Sequence, residues 1–140
     1  MMISLDSIEL PNNALVDCFH DQPLNATLSI LSRVGLAEAW TYFRKPKQLS
    51  EGQRWRARLA LALERVRDDE KPVLVIDEFC AVLDRLTAAI VARSLRRAID
   101  ANPHVCALVA TSHDDLVRAL QPDVIVRCDF GKTTLIVRTA

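Results

Sequence analysis

Glycine is the first thing this chain lacks: 140 residues contain only Gly35, Gly52 and Gly131. A phosphate-cradling loop of the form G-x-x-x-x-G-K-[ST] needs two glycines five positions apart, so that backbone N–H groups wrap an anion without Cβ clashes. No pair here has that spacing, so the loop is excluded. Gly131-Lys132-Thr133-Thr134 imitates its end, but Val126 stands where the first glycine belongs, inside a strand-like run. Asp129-Phe130-Gly131-Lys132 between two apolar runs reads instead as a hairpin turn, with Gly131 supplying positive φ.

Other absences narrow the class further. Cys18, Cys80, Cys106 and Cys128 are far apart with no C-x-x-C pair, which argues against a metal knuckle or a disulfide framework and points to a reducing cytoplasm. Three of them fall in or beside apolar runs, where a free thiol behaves as a small hydrophobe. No apolar run approaches the ~20 residues that cross a bilayer, and no basic stretch followed by an apolar segment opens the chain as a secretory signal would. Net charge is absent too: 18 Lys+Arg balance 18 Asp+Glu, so overall electrostatics give no reason to expect a nucleic-acid or membrane partner. Half the residues are hydrophobic and 26% are charged, the composition of one globular domain with a modest core.

The patterning is that of an α/β protein. Ile3, Leu5, Ile8 and Leu10 have strand-like spacing, and an apolar run, Ala14 to Phe19, follows the turn signal Pro11-Asn12-Asn13. Asn25 or Thr27 is expected to cap a helix carrying Leu28, Leu31 and Val34, closed by Gly35. A short helix is expected from Ala37 to about Phe43. The strongest helix runs from Ser50 to about Arg67, with Trp55, Leu59, Leu63 and Val66 as its stripe and its arginines elsewhere. Val73–Ile76 and Val105–Ala110 read as strands buried on both faces. Leu86, Ile90, Leu95, Ala98 and Ile99 mark a long helix between them. Asp114 is expected to cap a short helix with Leu116 and Leu120, and Asp123–Cys128 is a further strand. Helices alternating with aliphatic strands predict a mostly parallel, helix-covered sheet followed by the hairpin.

Four segments carry chemistry. In Leu49-Ser50-Glu51-Gly52-Gln53, Ser50 and Gln53 have capping-box spacing, so the helix start follows on local grounds. Its first-turn amides and positive dipole end form a ready anion site, which Gly52 lets a phosphate approach; a plain helix start has the same pattern. In Val75-Ile76-Asp77-Glu78, two acids end an aliphatic strand, where α/β sheets place ligand chemistry. A carboxylate at Asp77 suits water-mediated Mg²⁺, and Glu78 is placed to orient an attacking water as general base; two solvated acids are the plainer reading. In Ala81-Val82-Leu83-Asp84, Asp84 is able to cap the next helix without further role. In Thr111-Ser112-His113-Asp114, His113 follows a strand end, the position of a ligand-contacting histidine or of a structural one. His20 and His104 have no such context and read as surface residues.

In that order the four segments resemble the signature, Walker B, D-loop and switch-histidine motifs of the ABC-type ATPases. The resemblance is specific from Leu49 to His113 and extends to Cys128. Glu51 replaces the first glycine of the family's Leu-Ser-Gly-Gly-Gln, and Ala81 stands where the D-loop usually begins with serine. The resemblance implies a partial P-loop NTPase-like fold without Walker A, with residues 1–48 as N-terminal strands and helical subdomain and 49–140 as signature helix and Walker B/H-loop core. It implies ATP and Mg²⁺ as cofactors, Asp77 as metal ligand, Glu78 as catalytic base and His113 as the γ-phosphate contact. Ser50, Gly52 and Gln53 would meet ATP held by the P-loop of an opposing subunit in a head-to-tail sandwich, with Asp84 touching that partner. Gln22 is the candidate nearest the N-terminus for the family's Q-loop, without the strand before it that the loop has.

Three readings follow. The chain is the C-terminal half of an ATPase whose Walker A-bearing segment or subunit lies elsewhere; or a non-catalytic module that caps a partner's ATP; or a fragment of a DNA-associated ABC ATPase. The last would recruit Arg54, Arg56, Arg58, Arg65, Arg67, Arg93, Arg96 and Arg97, which two polar helix faces explain equally well.

Overall fold

The computed structural model describes residues 1–19, 22–66 and 71–138; His20 and Arg67, named above as a surface histidine and a helix end, lie outside the described residues. Strand β1 (Met2–Ser4) pairs parallel with β2 (Val73–Ile76), and β2 pairs parallel with β3 (Cys106–Val109). The order β1-β2-β3 makes β2 central, and the shared direction brings the strands' C-terminal ends to one edge. Strands β4 (Val124–Asp129) and β5 (Lys132–Val137) form a separate antiparallel hairpin, with Asp129 opposite Lys132 and Gly131 at φ 81°. The α/β class, the parallel sheet and the terminal hairpin are therefore as the patterning implies.

Helix α1 (Leu24–Arg33) ends in a Schellman turn: Gly35 takes φ 79°, its N–H bonds Ser32 O at 2.9 Å, and Leu36 N–H reaches back to Leu31 O at 2.9 Å. Helix α2 (Ala39–Tyr42) is a single turn, followed by a 3₁₀ turn at Pro46–Gln48. Helices α3 (Glu51–Glu64) and α4 (Arg85–Asp100) are the long ones, and both start where a side-chain cap satisfies a first-turn amide. A 3₁₀ turn (Asp114–Leu116) and α5 (Val117–Leu120) lead into the hairpin. Leu74, Ile76 and Phe79 join Leu59 and Ala60 of α3 and Val91, Ala92 and Leu95 of α4 in one core cluster.

Several local expectations are corrected. Only Met2–Ser4 of the N-terminal apolar pattern is a strand; Leu5–Ser7 and Leu15–Cys18 are 3₁₀ turns that bury Leu5, Leu15 and Cys18. Helix α1 starts at Leu24 with Pro23 as N-cap, because proline's fixed φ starts a helix without a side-chain bond; Asn25 and Thr27 fall inside its first turn. His113, not Asp114, occupies the cap position before the 3₁₀ turn, and no side-chain bond is made there. Strand β3 is an edge strand with Leu108 57% exposed, and on α4 Leu86 and Ile90 also face outward. The aliphatic run therefore encodes an interior that these described residues leave open.

Candidate functional site

The acid pair stands where parallel strand β2 ends. Asp77 and Glu78 are both exposed, and Asp77 Oδ1 accepts the Glu78 N–H at 2.9 Å. Glu78 takes φ 46° and Cys80 φ 61°, left-handed values that bend the chain sharply away from the strand. Phe79 between them is fully buried, so the turn is pinned by its side chain while the acids stay outside. Burial pushes the Cys80 thiol up to about 12, which leaves it an uncharged core group.

Neighbouring strand ends are laced to this turn. Ala110 N–H donates to Ile76 O at 2.9 Å and Phe79 N–H to Ala110 O at 2.9 Å. Thr111 Oγ1 donates to Phe79 O at 3.1 Å and accepts His113 N–H at 3.2 Å. Thr111 thereby couples the half-buried His113 to the backbone that carries Asp77 and Glu78.

The α3 start joins the same edge by packing. Ser50 Oγ accepts Gln53 N–H at 3.2 Å, and Gln53 Oε1 accepts Ser50 N–H at 2.9 Å, so the expected capping box is present. Helix geometry leaves the Glu51 and Gly52 N–H groups without an intrahelical acceptor, and the Ser50 hydroxyl proton remains a donor. A Cβ on Gly52 would lie 3.0 Å from Leu83 Cδ2 and 3.2 Å from Val82 O. The glycine thus sits where the 81–84 loop approaches α3 closely, and a side chain there would press on Leu83 and the Val82 carbonyl. Trp55, one turn further along α3, meets Phe79 edge-on at 5.7 Å between ring centroids. Asp84 Oδ1 accepts Thr87 N–H at 3.0 Å, and its bonds with Thr87 hold its carboxyl below the ordinary value.

Arg56 is a positioning residue that the sequence reading placed on a polar helix face. It is half-buried, with Nε donating to Gly52 O at 3.2 Å and Nη1 to Gly35 O, so it ties the end of α1 to the start of α3. Burial lowers its pKa, while Glu38 and Asp84 pull the other way. Arg54 Nη1 bonds Leu49 O at 2.7 Å, and Arg96 is held by Asp100 and Asp123. Of the arginines listed as possible DNA contacts, Arg65, Arg93 and Arg97 are exposed. Gln22 lies away from the edge: its Nε2 bonds Glu64 Oε1 at 3.4 Å, and Glu64 ends α3 roughly 20 Å from Ser50 at 1.5 Å per residue.

Among the described residues no three His, Cys, Asp or Glu side chains gather into a metal cage. The donor set instead suits Mg²⁺, which keeps several waters and takes one or two carboxylates together with phosphate oxygens. Asp77 fits that role, with Oδ2 free of the bond that Oδ1 makes to Glu78. No helix among the described residues is long and apolar enough to cross a membrane.

This is an α/β fold with the 77–80 and 110–113 turns together at the C-terminal edge of a parallel sheet. No protein-family model matches the sequence, and no curated protein does. Among solved structures it is similar to the ATP-binding cassette MJ0796, a dimer in a post-hydrolysis state bound to ADP and Pi, at TM-score 0.67 and 19% identity over 89% of this chain and 57% of that one. It is also similar to cbiO1 from Clostridium perfringens, part of the ABC transporter complex cbiONQ, at TM-score 0.60 and 20% identity over 89% of this chain and 51% of that one. The likeness is one of fold, and the chain spans a little over half the length of each neighbour.

Proposed function

We propose that this chain is the C-terminal portion of an ABC-type ATPase domain, working in the cytoplasm on ATP and Mg²⁺ gripped by a P-loop on another segment or subunit. One observation carries the reading: the turns bearing Asp77, Glu78 and His113 are bonded together at one sheet edge, with the 81–84 loop packed on Gly52 beside them. The lack of any glycine pair at P-loop spacing supports a grip supplied by a different stretch of polypeptide. The open outer edge of β3, among the described residues, is consistent with a sheet that further strands complete.

Magnesium supplies positive charge against the phosphates when bound. Asp77 would hold the metal. Glu78 accepts the proton of a water positioned for attack, and its exposed turn leaves the carboxylate reachable by that water. His113 contacts the γ-phosphate from the neighbouring strand end. The Glu51 and Gly52 amides, the Ser50 hydroxyl and Gln53 face ATP held by an opposing subunit, and Asp84 meets that subunit in a head-to-tail arrangement.

The test is complementation. Mixing the chain with a Walker A-bearing ATPase polypeptide is expected to produce ATP turnover absent from either component alone. Glu78→Gln is expected to lower it on the order of 10²–10⁴-fold. Turnover unchanged by Glu78→Gln would remove the base from the proposal.

A further inference from the structure

A second surface stands apart from the acid pair. Trp40 is 60% exposed and Phe43 75% exposed. They lie three positions apart, on one side of α2 and its C-cap. Between and behind them Thr41 is fully buried and Tyr42 is half-buried, so the element is seated by one side and presents the aromatics on the other. Its backbone is fixed: Leu15 N–H donates to Arg44 O at 3.0 Å, Gln48 Oε1 accepts Lys45 N–H at 2.9 Å, and Pro46 is buried. The flanking Arg44, Lys45 and Lys47 are all exposed. In a chain with zero net charge, Ala39–Gln48 carries three bases and no acid.

We infer that Trp40 and Phe43, together with the exposed Arg44, Lys45 and Lys47 that follow them in the chain, form a docking surface for an acidic polypeptide segment that carries large apolar side chains. Aromatic residues and arginine are enriched at the centres of protein interfaces, where a few buried anchors supply most of the affinity. The bases supply charge complementarity, which orients an acidic partner and speeds its approach. A fixed backbone means little ordering is lost on binding. Nucleic acid is the weaker occupant, because three cations on a neutral chain release few counterions from a polyanion. None of these five residues belongs to the acid-pair site, so the inference stands independently of the ATP reading.

The test uses the full chain and three fluorescent probes: a helical peptide with Leu and Phe at i and i+4 among glutamates, the same peptide with lysines for glutamates, and single-stranded oligo(dT). Anisotropy is expected to show binding of the acidic peptide alone. Trp40→Ala and Phe43→Ala are each expected to weaken it about tenfold or more, with circular dichroism unchanged. Lys45→Glu with Lys47→Glu leaves the aromatics in place and is expected to weaken it as well, more at low salt than at high. Equal binding of the two peptides, indifference to all four substitutions, or preference for oligo(dT) would each overturn the inference.

Discussion

Gly52 has a packing role that stands apart from the phosphate contact proposed for it: a Cβ would meet Leu83 Cδ2 at 3.0 Å and Val82 O at 3.2 Å. Gly52→Ala is therefore expected to destabilise the fold by about 1–3 kcal/mol, as overpacking does, despite alanine's better helix propensity. Urea denaturation measures it, and a variant as stable as the parent would show that the loop gives way freely. Arg56 adds a related lesson. Its place among several arginines on a helix reads as a solvated face, yet it spends its donors on Gly35 O and Gly52 O. No local pattern announces such a tertiary partner, whereas the Ser50–Gln53 reciprocity is local and legible from spacing.

At the scale of elements, legibility follows where the cause lies. The capped starts of α3 and α4 and the Gly35 closure are set by neighbours within a few residues, and those caps and that closure are legible in the chain. The edge position of β3 depends on which strands come to flank it, so Val105–Ala110 signals burial that Leu108 does not find. Likewise the pairing of β4 with β5 follows from the Gly131 turn, but its attachment does not. Arg96 makes that attachment, bonding Asp123 Oδ2 at 2.8 Å and Gln121 O at 3.3 Å from α4. An isolated two-stranded hairpin is marginal. Arg96→Ala is expected to speed amide exchange across 124–137 while β1–β3 keep their protection. Uniform acceleration, or none, would mean the hairpin is held otherwise.

At the scale of the molecule, an α/β chain of zero net charge presents two acids and a histidine at one sheet edge with a capped helix start packed beside them, and no two of its three glycines stand five positions apart. Among the described residues its parallel sheet ends at β3 with Leu108 uncovered, and the chain spans 57% and 51% of the two solved structures it resembles. On the proposed function, this polypeptide shapes a triphosphate site that it does not itself grip. Isothermal titration of Mg·ATP into the purified chain tests that most directly. No heat of binding is expected at micromolar concentrations until a P-loop-bearing polypeptide is added, and then a signal that Asp77→Ala diminishes. Micromolar binding by the chain alone, lost on Asp77→Ala, would contradict it.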